Sequence, residues 1–300
     1  MTKHFIDFDD LSFEELQEII NRAITLKKEH NKGVFNNSLK NKTLAMIFDK
    51  SSTRTRVSFE TGMTQLGGHA LFLSNKDIQL GRGESIIDSA IVISSMVDAV
   101  MLRISSHEEI ITFSKYSNKP VINALSDLSH PCQILADLMT FQEHRGSIKG
   151  KKVVWIGDGN NVCQTYMQAV EIFGFKLNIA CPKNYEPNQS FVERYQNNID
   201  YYKNPMEACE GADLVMTDVW ASMGKELEHK QRESAFKDYQ VDQKMMSHAN
   251  NGALFMHCLP AHRGEEVSAD LIDSKRSAVW DEAENRLHAQ KALLLYLVKT

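Results

Sequence analysis

Short apolar segments alternate with segments of helical periodicity along this chain, and this alternation restricts the fold more than any other feature. In the first half, the predicted strands are 43–48, 69–73, 98–103 and 120–125. The predicted helices are 11–28, 53–66 and 85–96. Ser12 and Glu15 form a capping-box pattern at the start of the first helix. Strands that alternate with helices predict βαβ units around a parallel sheet.

The same alternation restarts in the second half of the chain. The predicted strands there are 151–156, 178–181, 212–220, 253–260 and 278–280, with helical segments between them. A predicted helix at Gln133–His144 precedes them, and a last helix at Glu284–Val298 could pack on either half. The chain therefore predicts two α/β halves that meet near residues 130–150.

Length and charge support two domains and exclude several classes of protein. A chain of 300 residues exceeds the usual size of one domain, about 100–150 residues. The formal net charge of −5 argues against a general nucleic-acid-binding protein, because such proteins carry a basic surface. Since no apolar run reaches about 18 residues, we expect no membrane span and no membrane partner.

The N-terminal residues and the cysteines indicate the compartment. The first residues contain no apolar stretch and are not rich in arginine, so we expect no signal or transit peptide. The five cysteines are Cys132, Cys163, Cys181, Cys209 and Cys258. Their odd number and wide spacing are typical of a reduced intracellular chain with free thiols. We therefore expect a cytoplasmic protein.

A hydroxyl-rich turn at 49–56 joins a predicted strand to a predicted helix. Free backbone N–H groups at a helix N-terminus favour an anion, and arginine adds donors that match phosphate oxygens. The alternative is a helix cap with two surface arginines. We expect Arg54 to bind the anion and Arg56 to be structural.

A second turn, His130-Pro131-Cys132-Gln133, also lies between a strand and a helix. Ligands bind at the carboxyl ends of parallel strands, where His130 could polarise a carbonyl oxygen and Gln133 could bind a primary amide. The pattern alone favours a simple helix-starting loop. We expect the side chain of Cys132 to be buried and to pack in the core.

A glycine turn, Gly157-Asp158-Gly159-Asn160-Asn161, follows the first strand of the second half. It fails the dinucleotide pattern because Val162 stands where the third glycine would be. Asn161 could bind a carboxylate or cap the following helix.

Two further segments leave predicted strands. Asp218 precedes a loop of small residues, which suits recognition of an amine or forms an ordinary turn. His257, Cys258 and His262 suggest zinc, but no second cluster with ligand spacing accompanies them. Cys258 could instead be a low-pKa thiol beside a substrate. Arg286, on the last helix, could reach an anion or be solvated.

Taken together and in this order, these segments resemble the aspartate/ornithine carbamoyltransferase family. The family shares the S-T-R-T-R phosphate loop, here Ser52–Arg56, and an H-P-x-Q turn, here His130–Gln133. The cysteine of H-P-C-Q, the D-x-x-x-S-M-G loop at Asp218–Gly224 and H-C-L-P at His257–Pro260 resemble the ornithine branch of that family.

The resemblance implies an α/β fold with two doubly wound lobes. Each lobe would have a mostly parallel central sheet flanked by helices, with the active site in the cleft between them. Residues 1–134 and 285–300 would form the carbamoyl-phosphate-binding domain, and 135–284 the ornithine-binding domain. The family assembles as homotrimers or multiples of trimers, and Gln79 would reach the site of a neighbouring subunit.

The resemblance also implies the reaction and its residues. The carbamoyl group of carbamoyl phosphate would pass to the δ-amine of L-ornithine, giving L-citrulline and phosphate without metal or cofactor. The implied carbamoyl-phosphate site is Ser52, Thr53, Arg54, Thr55, Gln79, Arg103, His130, Gln133, Cys258, Leu259 and Arg286. The implied ornithine site is Asn161, Asp218, Ser222 and Met223. The implied catalytic residues are Arg54, Thr55, Arg103, His130, Gln133, Asp218, Cys258 and Arg286.

Three alternatives stay open from the sequence. The chain could carbamoylate another amine, such as putrescine or acetylornithine. It could be a binding module that senses carbamoyl phosphate without turnover. A dinucleotide-dependent dehydrogenase is the third, and the failed glycine pattern argues against it.

Overall fold

A computed structural model describes residues 2–34, 37–74, 83–221 and 229–299 of the chain. The chain divides into two compact units, one made of Met1–Met139 with Glu284–Thr300 and the other of Thr140–Ala283. Among the described residues, no helix combines the length and the apolar character that a membrane crossing requires.

The first unit is built on a four-stranded parallel sheet. Its strands are β1 (Thr43–Phe48), β2 (His69–Ser74), β3 (Ala99–Arg103) and β4 (Val121–Leu125), in the order β2-β1-β3-β4. The prediction of these four strands is confirmed. Strands β1 and β3 are central and buried, which explains their continuous apolar sequence.

Helices of the first unit flank this sheet. They are α1 (Phe13–Asn31), α2 (Thr53–Gln65), α3 (Ile86–Met96), α4 (His107–Tyr116), the start of α5 (Pro131–Arg145) and most of α12 (Val279–Lys299). Ser12 caps α1 in a complete capping box with Glu15, as predicted. Buried side chains of the sheet and α4, such as Ile47, Leu102 and Phe113, pack together.

The second unit has a five-stranded parallel sheet. Its strands are β5 (Lys152–Ile156), β6 (Lys176–Ala180), β7 (Ile199–Tyr202), β8 (Leu214–Thr217) and β9 (Leu254–His257), in the order β7-β6-β5-β8-β9. Its other helices are α6 (Asn161–Phe173), α7 (Gln189–Arg194), α8 (Pro205–Ala208), α9 (His229–Phe236), α10 (Gln243–Met246) and α11 (Ala269–Ile272).

One predicted strand is wrong and one strand was missed. Residues 278–280 do not form a strand: the amide of Ala278 bonds to the carbonyl of Phe255, and the chain then turns into α12. An apolar run of three residues does not distinguish a strand from the start of a helix. The missed strand β7 is an edge strand, and its polar residue Asp200 is exposed.

In each sheet the strand order reverses at one point. In the first unit this point lies between β1 and β3, and in the second between β5 and β8. Ligands of open α/β sheets bind at the carboxyl ends of the strands at such points. At the first point, β3 ends at Arg103 and β1 is followed by Ser52–Arg56. At the second point, β5 is followed by Gly157–Asn161 and β8 by Asp218.

Candidate active site

The S-T-R-T-R segment forms the first turn of α2. Ser52 is the N-cap, and its hydroxyl accepts the amide N–H of Thr55 at 3.4 Å. Arg56 is exposed, pairs with Glu60 at 3.0 Å and lies 3.8 Å above the ring of Phe72. These contacts support the structural role predicted for Arg56.

Two arginines from distant parts of the chain converge on Thr55. Arg103 Nη1, at the end of β3, donates to Thr55 Oγ1 at 3.2 Å. Arg286 Nη2, on α12, donates to the same hydroxyl at 3.5 Å. All three side chains are buried, so this cluster holds two positive charges away from bulk water. Such an arrangement favours a bound anion.

Gln133 joins this cluster from α5. Arg286 Nη1 donates to Gln133 Oε1 at 2.5 Å, and Gln133 Nε2 donates to Asp137 Oδ1 at 2.8 Å. Both contacts are buried, which fixes the orientation of the amide. Sequence reasoning missed Asp137, although its position one helical turn after Gln133 is a usable signal.

His130 directly precedes α5 and is buried. The pKa of its imidazole is lowered well below the ordinary value by burial first, and then by Arg286, Arg103 and Arg54. The imidazole is therefore neutral near pH 7. A neutral imidazole can donate one N–H to a carbonyl oxygen without adding charge.

Cys132, beside His130, is part of the core. Its thiol donates to the carbonyl of Asn123 at 3.5 Å, and burial raises its pKa to about 12. A thiol with this pKa is not a nucleophile near neutral pH. The structure agrees with the predicted packing role.

The second unit brings Asp218 and Cys258 together. Asp218 directly follows β8 and is buried, and Cys258 directly follows β9. The Cys258 thiol donates to Asp218 Oδ1 at 3.1 Å, and the amide of Val219 donates to the same oxygen at 2.8 Å. Asp218 is thus a carboxylate that protein donors hold in one orientation.

The residue that caps the N-terminus of α6 is Asn160, not Asn161. Asn160 Oδ1 caps α6 by accepting the amide N–H groups of Val162 and Cys163, so the alternative that Asn161 caps the helix is wrong. Asn160 Nδ2 donates to Asp218 Oδ2 at 2.7 Å. Asn161 is the first helical residue and is partly exposed, and its binding role stays a prediction.

Arg232 is a further residue that sequence reasoning missed. It is buried on α9, and its Nη1 donates to Asp158 Oδ2 at 2.8 Å and to the carbonyl of Trp220 at 2.6 Å. Its guanidinium lies 4.8 Å from the ring centre of Tyr185. Arg232 therefore ties α9 to the two loops that follow β5 and β8.

The H-C-L-P loop after β9 is held by hydrogen bonds at both ends. The amide of Leu259 donates to His257 Nδ1 at 2.9 Å, and His257 Nε2 lies 3.2 Å from Glu266 Oε1. Glu266 Oε1 also accepts the amide N–H of His262 at 2.6 Å. Because both ring nitrogens of His257 form hydrogen bonds within the protein, this arrangement does not favour the zinc alternative.

Three predicted residues lie outside the described residues: Gln79, Ser222 and Met223. Their roles stay predictions. The described candidate residues therefore form two groups, each within one unit. The first surrounds Thr55 and the second surrounds Asp218.

Comparisons with known proteins assign both parts of the chain to one family. Residues 3–143 match the family model described as the carbamoyl-P binding domain of aspartate/ornithine carbamoyltransferase, and residues 149–297 match its Asp/Orn binding domain. The ornithine carbamoyltransferase of Ruthia magnifica is 65% identical over 99% of this chain and 100% of its own length. That of Hydrogenovibrio crunogenus is 61% identical over 99% of this chain and 98% of its own.

Solved structures give the same result. The ornithine carbamoyltransferase of Burkholderia thailandensis is 50% identical, with a TM-score of 0.92 over 99% of this chain and 98% of its own. The enzyme of Pyrococcus furiosus is 48% identical, with a TM-score of 0.94 over 98% of this chain and 96% of its own.

Proposed function

Since this chain belongs to the aspartate/ornithine carbamoyltransferase family, we infer that it is an ornithine carbamoyltransferase. It transfers the carbamoyl group of carbamoyl phosphate to the δ-amine of L-ornithine through a tetrahedral intermediate, giving L-citrulline and phosphate. The names of relatives that are 55–65% identical support ornithine as the acceptor.

The convergence of Arg103 and Arg286 on Thr55 is the observation that carries this function. Two buried guanidinium groups on one hydroxyl, beside a neutral imidazole, suit a small dianion that carries a carbonyl group. Carbamoyl phosphate is such a molecule.

In the proposed complex, the first turn of α2 binds the phosphate. The backbone of Ser52–Thr55 and the guanidinium of Arg54 hold it, since a helix N-terminus favours an anion. Gln79 of a neighbouring subunit completes this site. The same groups stabilise the phosphate as it leaves.

Thr55, Arg103 and His130 donate to the carbamoyl oxygen as negative charge develops on it. Removal of one such donor typically costs about 2.7–4 kcal/mol of transition-state stabilisation. Gln133 and the carbonyl groups of Cys258 and Leu259 hold the carbamoyl NH2. Together these contacts keep the carbamoyl carbon facing the attacking amine.

We propose that ornithine binds through Asn161, Asp218, Ser222 and Met223. Asp218 holds the α-amine, and Cys258 lies near the δ-amine. The δ-amine must be neutral to attack, although an alkyl amine has a pKa near 10 in water, and burial favours its neutral form. The departing phosphate is a suitable proton acceptor.

We also propose the domain roles that the family implies, with carbamoyl phosphate bound by the first unit and ornithine by the second. The descriptions of the two family models support this assignment. The position of the active site in the cleft between the lobes, a role in arginine metabolism and a cytoplasmic location stay predictions.

A homotrimer, or a multiple of it, is the proposed assembly. On α3, Ile91, Val92 and Met96 are 51%, 45% and 76% exposed, and the last two lie one helical turn apart. Exposed apolar faces mark interaction surfaces, which supports burial against another copy. Light scattering of the purified protein measures the number of subunits.

The test of the proposed activity is citrulline formation from carbamoyl phosphate and L-ornithine, with putrescine, N-acetylornithine and aspartate in parallel reactions. We expect turnover with ornithine alone. Turnover with another amine would reject the ornithine site, and binding of carbamoyl phosphate without turnover would indicate a sensor.

A further inference from the structure

The side chains of His257 and Glu266 hold the loop that contains Cys258 and Leu259 through hydrogen bonds to the backbone amides of Leu259 and His262. We propose that His257 and Glu266 are positioning residues that orient this backbone, an inference that rests on the proposed function. The two carbonyl groups can hold the carbamoyl NH2 only if the loop keeps one conformation. The hydrogen bonds of the loop supply that constraint.

The contacts of His257 specify its tautomer. Nδ1 accepts the amide N–H of Leu259 at 2.9 Å, so Nδ1 carries no hydrogen. The ring hydrogen of the neutral imidazole is therefore on Nε2, which donates to Glu266 Oε1 at 3.2 Å. The opposite tautomer would place two N–H donors against each other at Leu259.

Glu266 closes the loop from its other end. Its Oε1 accepts both from His257 Nε2 and from the amide of His262 at 2.6 Å. The carboxylate is fully buried, so it has no access to bulk water. A second buried carboxylate, Glu282 on α12, accepts the amide N–H of His257 at 2.8 Å. Residues 257–262 are therefore bracketed by buried acceptors.

The conformation of Leu259 explains why such a bracket is needed. Its φ is 55°, in the left-handed region that is unfavourable for a residue with a side chain. Its amide hydrogen bond to His257 favours this conformation over the alternatives. Because Cys258 lies between these two residues, the same bond helps to aim its thiol at Asp218, 3.1 Å away.

Two substitutions of His257 separate positioning from stability. In His257→Asn, Oδ1 replaces Nδ1 and can still accept from Leu259, but the link to Glu266 is lost. In His257→Gln, the side chain can still reach Glu266, but no acceptor remains for Leu259. We expect His257→Gln to lower kcat by about 10- to 100-fold with little change in the melting temperature.

His257→Asn should show the reverse pattern, with a lowered melting temperature and kcat within about threefold of the wild type. The KM for carbamoyl phosphate should change little in both variants, because the phosphate contacts proposed for α2 are intact. A purely structural role predicts instead that activity falls with stability in both. Wild-type kcat in His257→Gln would overturn the proposal.

Glu266 has its own conservative variant. Glu266→Gln keeps an amide oxygen where Oε1 stands and should retain kcat within about threefold. Glu266→Leu should lose kcat as His257→Gln does, because it removes the acceptor of the His262 amide as well as that of His257. His262→Ala is the matched control, because its backbone N–H is unchanged and its side chain is 47% exposed. Equal losses in Glu266→Gln and Glu266→Leu would contradict the positioning role.

The tautomer can be measured without activity. In ¹⁵N-histidine-labelled wild-type protein, His257, assigned by comparison with His257→Gln, should show an unprotonated Nδ1 and a protonated Nε2. A protonated Nδ1 would overturn the inference even if citrulline is formed. Absence of citrulline with the expected tautomer would reject the proposed function and the positioning role that rests on it, while leaving the hydrogen-bonded bracket intact.

Discussion

Arg286 Nη1 donates to Gln133 Oε1 at 2.5 Å, although 153 positions separate the two residues in the chain. The same guanidinium reaches Thr55, so the last helix of the chain links α5 to the first turn of α2. Most of α12 belongs to the first unit, and its return to that unit completes the cluster. The C-terminal helix is therefore part of the proposed carbamoyl-phosphate site.

We expect Arg286→Lys to raise the KM for carbamoyl phosphate. The single nitrogen of a lysine cannot occupy the positions of both Nη1 and Nη2, so it cannot reproduce the contacts with Gln133 and Thr55. Loss of one charged hydrogen bond is worth about 1.5–3 kcal/mol, or roughly 10- to 150-fold in KM. Steady-state kinetics at saturating ornithine measure this change.

Arg56→Lys is the matched control for that prediction. Arg56 lies in the same S-T-R-T-R segment, but its side chain is exposed and contacts Glu60 and Phe72. The KM of Arg56→Lys for carbamoyl phosphate should stay within about twofold of the wild type. A similar rise in both variants would show that the contacts of Arg286 do not account for the change in KM.

His130→Ala should lower kcat by about 100- to 1,000-fold, since it removes one proposed donor to the developing oxyanion. The pKa of His130 lies well below the ordinary value because of burial and three arginines, so its protonation does not limit activity near pH 6.5. The pH profile of kcat should therefore keep its shape in the variant. His144→Ala, at the exposed end of α5, is the control. If the acidic limb of the kcat–pH profile disappeared in His130→Ala, the assignment of a neutral imidazole to His130 would be wrong.

Cys258→Ala should lower kcat/KM for ornithine by roughly tenfold or more, because Asp218 loses a donor. If Cys258 lies near the δ-amine, the pH profile of turnover should also move. Cys181→Ala, another thiol of the second unit outside the proposed site, should leave both unchanged. An unmoved pH profile in Cys258→Ala would remove Cys258 from the proposed mechanism.

The fold was predictable where strands are buried and apolar. The segments at 43–48 and 98–103 are such strands, and the structure confirms them. Strand β7 was missed because an edge strand needs no continuous apolar run, and its Asp200 faces solvent. The sequence predicts a strand at 278–280, where the structure begins α12. Three apolar residues are too few to show a periodicity that separates a strand from the start of a helix.

The candidate site was predictable where a motif is local. Ser52 as a cap and Asp218 at a strand end follow from position alone. Arg286 does not, since on an isolated helix it is indistinguishable from a solvated arginine. The capping asparagine is Asn160 because the cap precedes the first helical residue, a boundary that sequence defines only within a few residues. Buried partners such as Glu266 depend on tertiary packing.

Arg232→Met should destabilise the second unit. The substitution removes the guanidinium that pairs with Asp158. The side chains of Asp158 and Arg232 are only 13% and 6% exposed, so the carboxylate is left buried without its cationic partner. Removal of one partner of a buried ion pair typically costs about 3–5 kcal/mol of unfolding free energy. Denaturant unfolding measures the loss. The double variant Asp158→Asn with Arg232→Met should recover part of it, and a double variant less stable than Arg232→Met would argue against the ion pair.

His288 predicts a loss of stability at low pH. Its side chain on α12 is fully buried, and its pKa is lowered to about 3 by burial first, and then by Lys291, Lys27 and His30. Neither ring nitrogen has a hydrogen-bond partner among the described residues, and the carboxylate of Glu284 is 3.9 Å away. The native protein therefore excludes a proton that the unfolded chain takes up below its own pKa near 6.5.

Unfolding free energy should consequently fall as the pH drops below about 6.5, with a slope of up to about 1.4 kcal/mol per pH unit from this residue. Between pH 7 and pH 5 the loss of unfolding free energy from this residue reaches about 2 kcal/mol. His288→Leu cannot take up this proton, so its stability should fall less over the same interval while matching or exceeding the wild type at pH 7. Denaturant unfolding of both proteins at equal concentration at pH 7 and pH 5 measures this. Parallel losses in the two proteins would show that His288 accepts its proton in the native state.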